Sequence, residues 1–259
     1  MSKPVAIVMA AGKGTRMKSD LPKVLFPVGG RPMIEYVLDA LAEVGVERIV
    51  VVVGYRADLV RQTLAQRRGV EFAEQSPQLG TGHAVMVCRQ ALTGHNGPIL
   101  ILTGDTPLVQ PATLRAMFEE FERTRPACLM GTAIKENPAG LGRVVRDAAG
   151  NFLAIVEQKD ATTEQRAVRE VNMSYYLFDA SQLWHALDRV KSDNAQGEYY
   201  ITDCPGILKQ EGKDVRALCV LAPCETLSVN TVEELAEVEA ELEDFRISDL
   251  RIVGPDPDS

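Results

Sequence analysis

Gly12, Lys13, Gly14, Arg16 and Lys23 follow closely on an apolar run, Val5-Ala6-Ile7-Val8-Met9-Ala10-Ala11. This grouping suits a polyphosphate. Glycine lacks a Cβ, so backbone N–H groups at Gly12 and Gly14 can approach an anion closely. Lys13, Arg16 and Lys23 add positive charge, and an arginine fork grips two oxygens at once. Two better-known loops are excluded. The dinucleotide fingerprint G-x-G-x-x-G fails, because Met17 stands where the third glycine belongs. The pattern G-x-x-x-x-G-K-[ST] fails because no Gly-Lys-Ser/Thr closes the run. An ordinary tight turn explains the glycines alone equally well, and Arg16 with Lys23 tips the reading toward a nucleotide.

Three further groups could do chemistry. Gln75 and Gln78 precede Leu79-Gly80-Thr81-Gly82. Amide side chains and glycine backbones can read donors and acceptors on a pyrimidine edge, although a turn with a helix cap also fits. His83 follows and is read as a structural residue at a helix start, because no partner carboxylate is close in sequence. Asp105 ends the apolar run Pro98-Ile99-Leu100-Ile101-Leu102-Thr103 with Gly104. A carboxylate at the C-terminal end of a parallel strand points into the crevice where ligands bind, and its hard oxygens suit Mg²⁺. The alternative is an Asp in a turn before a helix.

AAGKGTRM followed by LPKVL resembles the signature of the sugar-1-phosphate nucleotidyltransferases. More narrowly, the chain is similar to the uridylyltransferase domain of the bacterial N-acetylglucosamine-1-phosphate uridylyltransferases. That resemblance implies transfer of a uridylyl group from UTP to N-acetylglucosamine 1-phosphate, with pyrophosphate released. It implies nucleotide contacts from Met9, Ala10, Ala11, Gly12, Gly14, Gln75, Gly80 and Thr81. It places Thr103, Gly104, Gly142, Glu157 and Asn172 on the sugar, and Mg²⁺ on Asp105 and Asn230. Arg16 would neutralise the leaving pyrophosphate and Lys23 the charge building on the α-phosphoryl group. A sugar phosphate is already an anion, so no strong general base is required. Asn230 could instead cap the helix that follows it. The segment NAQGEYYITD is the longest near-exact match and implies a wall of the sugar site.

Departures from the family pattern cluster at the sugar end. Thr103 stands where the family commonly has Tyr, and Met173-Ser174 follow Asn172 where it has Thr-Gly or Ser-Gly. Ser228 replaces a Gly near Asn230. These leave open the same chemistry on glucose 1-phosphate or with dTTP. A non-catalytic nucleotide-sugar sensor is a separate alternative, and an oxidoreductase is disfavoured by the failed fingerprint.

The elements that must position these residues follow from periodicity. Strands are expected at 5–11, 48–53, 70–74, 98–105, 127–134, 167–178 and 215–221, and helices at 31–45, 57–68, 82–91, 112–121, 181–191 and 232–242. The early alternation is βαβαβ, which predicts an α/β fold, a Rossmann-like, mostly parallel sheet flanked by helices, and the resemblance implies the nucleotide-diphospho-sugar transferase type of it. Residues 137–157 switch to hairpin grammar, predicting a small antiparallel insertion that covers one side of the sheet, and the resemblance implies that it binds the sugar. One nucleotidyltransferase domain is expected over 1–245, with a nucleotide part over 1–125 and a sugar part over 126–230. A tail follows at 246–259, and no hexapeptide period indicates a repeat acetyltransferase domain.

The formal net charge of −8 over 259 residues argues against a general nucleic-acid binder, because phosphate contacts need basic surface. The N-terminal apolar run is too short for a signal segment or a membrane span, and no membrane partner is expected. Five cysteines form no C-x-x-C, which indicates neither a disulfide framework nor a zinc site and makes the cytoplasm the simplest compartment.

Overall fold

Val5–Met9 (β1) contains no polar residue and pairs in parallel on both sides, which makes it the centre of the molecule. The computed structural model describes residues 2–252. After β1, the basic loop leads into a two-stranded ribbon, Pro27–Val28 (β2) and Arg31–Pro32 (β3), then helix Met33–Glu43 (α1). Arg48–Val53 (β4), Ala57–Thr63 (α2), Val70–Glu74 (β5), Thr81–Met86 (α3) and Pro98–Thr103 (β6) complete the early alternation. Pro111–Thr124 (α4) starts on proline, which suits a first helical turn with its unpaired N–H groups. Cys128–Ile134 (β7), Gly142–Arg146 (β8), Phe152–Val156 (β9), Thr163–Arg166 (α5) and Glu170–Asp179 (β10) follow. The chain continues through Ala180–Leu187 (α6), Asp203–Gln210 (α7), Val215–Cys219 (β11) and Val232–Ile252 (α8).

One nine-stranded sheet has seven strands in the order β11-β7-β10-β6-β1-β4-β5, with β8 and β9 branching from β10. All its pairs along this order are parallel except those of β10, which is antiparallel to both β6 and β7. The mostly parallel α/β expectation therefore holds. Alternate residues of the strands face opposite layers. Val5, Ile7, Val50 and Ile101 pack toward the side of α3, α6 and α7, and Ala6, Val8, Val51 and Leu102 toward the side of α1, α2 and α4. A third cluster of Met17, Val28, Met33, Leu108, Val229 and Val238 ties the basic loop and ribbon to the start of α8. Burying such side chains is worth roughly 1.5–3 kcal/mol each, so this cluster fixes loops that would otherwise be mobile.

The hairpin β8–β9 covers one side of the sheet as expected, its Val144, Phe152 and Ile155 joining the apolar layer that holds Met130, Tyr176 and Val215. It is hydrogen-bonded edge to edge with the start of β10, pairing Arg143 with Val171 and Gly142 with Asn172. Strand β10 is long enough to serve β7 and β8 together and so forks the sheet. Helices α2, α3 and α6 stop earlier than the apolar spacing predicted. After α3 the bonds tighten to i→i−3, as in Cys88 N to Val85 O at 3.0 Å and Arg89 N to Met86 O at 3.1 Å. After α2 the chain turns at Gly69, where an added Cβ would lie 2.1 Å from Glu47 O. In contrast α8 outruns the expected stop at Leu242 and reaches Ile252, because no Gly or Pro intervenes before Gly254. The expected tail at 246–259 thus begins inside a helix, and its last residues, 253–259, lie outside the described residues. Among the described residues no helix is long and apolar enough to cross a membrane.

Candidate functional site

The C-terminal ends of β1 and β6 lie side by side, with Met9 opposite Thr103. Arg16 and Lys23 follow on the first of these ends and Asp105 on the second. Gly104 N donates to Met9 O at 3.0 Å, and a Cβ at Gly104 would meet Val24 at 3.0 Å. Gly104 is therefore the packing joint that brings the Asp105 turn against the basic loop. Gly14 makes the second joint. It adopts φ +65°, a left-handed conformation that favours glycine, and a Cβ there would lie 2.8 Å from Lys23 Cβ. Gly12 is exposed with open space beside it, which leaves its backbone free for a ligand.

Arg16, Lys23, Asp105 and Asn230 converge. The Lys23 ammonium donates to Asp105 Oδ2 and, at 2.6 Å, to Asn230 Oδ1. Arg16 donates to the same Asn230 oxygen at 2.9 Å. Asn230 is separated from Arg16 by most of the chain, and three contacts carry it there. Val229 sits in the third apolar cluster, Val229 N donates to Asp105 O at 3.3 Å, and the preceding turn is pinned by buried Glu225. Glu225 accepts from Gln110 N at 2.9 Å, Thr113 Oγ1 at 2.6 Å and Ala222 N at 2.8 Å. Burial pushes the Glu225 carboxyl above the usual range, against these bonds.

Asn230 does not cap α8. That role falls to Thr231, whose Oγ1 accepts from Glu234 N at 3.2 Å while Glu234 Oε2 accepts from Thr231 N at 3.1 Å and Asn230 N at 2.6 Å. The Asn230 amide is oriented by its neighbours' chemistry. Lysine and arginine only donate, so Oδ1 must face them, and Nδ2 then donates to Ser228 Oγ at 3.2 Å. Ser228, a departure from the family glycine, thereby accepts from the other end of the same amide and helps to hold it in place. Lys13 does not join this cluster, since its ammonium lies over the Tyr55 ring, 5.2 Å from the centroid.

The amide loop lies on the other side of β1. Gln78 Nε2 donates to Ala11 O, and buried Gln75 donates from Nε2 to Gly80 O at 2.8 Å. Gln75 Nε2 also lies 3.3 Å from His83 Nδ1, so His83 has a structural partner away from the charged cluster. The segment that contains Tyr199 clamps this loop. Tyr199 N donates to Leu79 O at 2.9 Å, Gly82 N to Tyr199 O at 2.7 Å and Ile201 N to Thr81 Oγ1 at 3.1 Å. Gly80, at φ +102°, would place a Cβ 2.6 Å from Tyr199 O. The sequence reading gave this segment to the sugar wall and missed the clamp. Its long match was the available signal.

Gly142, Glu157 and Asn172 also come together. A Cβ on Gly142 would lie 3.6 Å from Glu157 Oε1 and 3.7 Å from Asn172 Cβ. Glu157 Oε1 accepts from Thr202 Oγ1 at 3.1 Å, and burial raises its carboxyl above the usual range. Burial, with the neighbouring carboxylates of Glu157, Asp160 and Asp193, also pushes Asp203 up to about 6. Asn172 donates to Tyr176 OH at 2.6 Å and accepts from Ser174 N at 3.2 Å. Ser174 sits in a bulge of β10 at φ +62°. The family pattern has glycine at this position, so the serine carries backbone strain there.

Two cavities adjoin at the rim. One, about 400 Å³, is walled by the β1 loop, Lys23 and Gln78. The other, about 310 Å³, is walled by Leu141, Asn172, Ser174 and Asn230. They share Arg16, Thr103 and Asp105. Lys135, which no sequence signal marked, lines the second and donates to Thr226 O at 3.0 Å. A larger cavity of about 470 Å³, near Ser2, Asp179 and Lys213, includes none of these residues. Asp105 Oδ2 and Asn230 Oδ1 are hard oxygens already aimed at one positive charge, so the pair fits a divalent cation.

The chain is 48% identical over 240 residues to the bifunctional protein GlmU of Brevibacillus brevis, covering 93% of this chain and 52% of that protein. It is 47% identical over 244 residues to the bifunctional protein GlmU of Heliobacterium modesticaldum, covering 94% and 53%. The chain thus spans about half the length of the curated relatives it matches. A crystal structure of UDP-glucose pyrophosphorylase complexed with UDP-glucose superposes with a TM-score of 0.76 at 19% identity, covering 95% of this chain and all of that one, which shows a shared fold. The sequence profile of the MobA-like NTP transferase domain matches residues 6–197, from the start of β1 to the segment that clamps the amide loop, and the chain belongs to that family.

Proposed function

We propose that this chain transfers a uridylyl group from UTP to N-acetylglucosamine 1-phosphate, giving UDP-N-acetylglucosamine and pyrophosphate. The observation that carries the reading is the pair of adjoining cavities that share Arg16 and Asp105. One is bordered by the basic loop and the amide loop, as a nucleotide requires, and the other by the Asn172 strand. The reacting phosphates would meet between them. The resemblance to the uridylyltransferase domain and the relatives named GlmU support this choice of substrates.

A sugar-phosphate oxygen would attack the α-phosphorus of UTP in line. The new P–O bond forms as the bond to the pyrophosphate oxygen breaks. The attacking group is an anion already, so positioning and charge neutralisation do the work. Arg16 faces the leaving pyrophosphate, and Lys23 the α-phosphoryl oxygens. Gln75, Gly80 and Thr81 hold the base, and Met9, Ala10, Ala11, Gly12 and Gly14 line the path of the phosphates. Thr103, Gly104, Gly142, Glu157 and Asn172 form the sugar end, where a Glu157 carboxylate would accept from sugar hydroxyls. Asp105 and Asn230 would hold Mg²⁺, which when bound offsets phosphate charge. His83 has no part in the chemistry. Residues 1–125 act as the nucleotide part and 126–230 as the sugar part of one domain, working in the cytoplasm.

The test is pyrophosphate release with Mg²⁺ and UTP, with and without N-acetylglucosamine 1-phosphate. Release that requires the sugar phosphate is expected. Tight UTP binding with no release under any acceptor would make the chain a sensor and overturn the reading.

A further inference from the structure

The Asp105–Asn230 pair already holds a cation supplied by the chain itself. Lys23 Nζ donates to Asp105 Oδ2 and to Asn230 Oδ1 at 2.6 Å. Both side chains of the ion pair are largely buried, with Lys23 13% and Asp105 20% exposed. An ammonium has donors only, so it satisfies these oxygens as a metal ion would. A divalent cation and this ammonium cannot occupy the same point.

The lysine is placed there by the backbone. Lys23 opens a short 3-10 turn, Lys23–Leu25, between buried Pro22 and buried Val24 and Leu25. Gly14 packs against its Cβ. The Cα and Cβ are therefore fixed, and only the outer methylenes and the ammonium can swing. Lys23 also lines the cavity assigned above to the nucleotide. Phosphates bound there would offer it a second anionic partner within reach of the same stem.

We propose that Lys23 is the resident cation of this seat, and that the site takes a divalent cation only together with the phosphates of a nucleoside triphosphate. The inference rests on the reading of Asp105 and Asn230 as cation ligands. A metal ion arriving alone must strip a partly buried ammonium of its carboxylate and then sit beside it, two like charges sharing one Asp. The Arg16 guanidinium, on the same Asn230 oxygen, adds to that repulsion. Glu234 Oε2 is taken up by the Asn230 and Thr231 amides and so is not a free ligand for a metal ion arriving there. A metal–triphosphate complex brings its own negative charge. The ammonium then leaves one anion for another, and the seat is exchanged without stranding a charge. The substrate form is thus the preassembled metal–nucleotide complex, and the empty enzyme does not store metal. When the nucleotide product leaves, the lysine returns and closes the seat.

The test uses the full chain without nucleotide and Mn²⁺ as probe, with free Mn²⁺ counted by electron paramagnetic resonance. Wild type, Lys23→Met, Lys23→Gln and Lys23→Met/Asp105→Ala are compared, with circular dichroism to confirm folding. Weak Mn²⁺ binding by wild type is expected. Either neutral variant should bind at least about tenfold more tightly, the order expected from removing a like charge at contact range. The double variant should lose that gain. A folded Lys23→Met or Lys23→Gln that binds Mn²⁺ no more tightly than wild type would overturn the proposal. A gain that survives in the double variant would overturn the assignment of Asp105 as the metal ligand instead.

Discussion

The two ends of the site are built on different physics. At the phosphate end, side-chain charge decides everything. Arg16, Lys23, Asp105 and Asn230 meet within hydrogen-bond range, and their backbones are set by buried clusters and by Gly14 and Gly104. At the sugar end, backbone shape and burial decide. Gly142 leaves room beside Glu157 and Asn172, Ser174 holds a left-handed bulge, and Glu157 and Asp203 are carboxylates made less acidic by their surroundings. The phosphate end pairs Lys23 with Asp105 and sets Arg16 on the neutral Asn230 amide. The sugar end carries strain and crowded like charge. The proposed activity, which must neutralise phosphates but discriminate among sugars, would give reason to divide the work in this way.

The division is open to breakage, most severely at Asp105. Asp105→Ala should lower turnover by about 10³-fold, the effect of several kcal/mol of lost charge stabilisation. His83→Ala should change it by no more than about threefold, since His83 touches only Gln75 among the site residues. Comparable losses in steady-state pyrophosphate release would erase the contrast between charged and structural residues. Ser228→Ala should raise the metal concentration needed for half-maximal rate by about tenfold with kcat little changed, as for other residues that orient a ligand. Rescue by Ser228→Thr would sharpen that assignment, and a kcat loss at saturating metal would refute it.

The sugar end should respond in stability. Asp203 titrates at about 6 in the folded chain, above the ordinary value of roughly 3.9. The folded state therefore holds this proton to higher pH than the unfolded state. Its stabilising contribution is complete below pH ~4 and is lost as pH rises through about 6. Asp203→Asn should melt higher than wild type at pH 8 and level with it near pH 4. A gap of the opposite sign in thermal melts would contradict the crowding. Smallest of all, Ser174→Gly should raise Tm by about 2 °C, because relief of the left-handed strain exceeds glycine's added chain entropy by under ~1 kcal/mol.

The same contrast explains what could be read in the sequence. Strand β1 and the strand before Asp105 announce themselves by unbroken apolar runs, and the residues of the phosphate end by charge and by glycines at fixed offsets. Their chemistry resides in side-chain identity, which a sequence spells out. The role of Ser228 was hidden because it depends on which way an amide turns after a chain-long return to Lys23. The clamp of Tyr199 on Leu79 and Gly82 is made of backbone bonds, and Gly80 and Gly82 give it room without naming the segment that fills that room. The bulge at Ser174 was equally hidden, although the substitution of a family glycine marked the spot. The edge-on docking of the β8–β9 hairpin follows from the length of β10, and hairpin grammar alone does not report which partner a hairpin will choose.

The most direct test of the account is a competition. With Mg²⁺ and limiting UTP, equimolar N-acetylglucosamine 1-phosphate and glucose 1-phosphate are supplied together and the nucleotide sugars are separated and weighed by mass spectrometry. The product ratio gives the ratio of kcat/KM values directly. UDP-N-acetylglucosamine in large excess is the expected result, and Thr103 and Ser174 then mark a locally repacked pocket for the same sugar. UDP-glucose in excess would contradict the assigned substrate and make those two residues the reason.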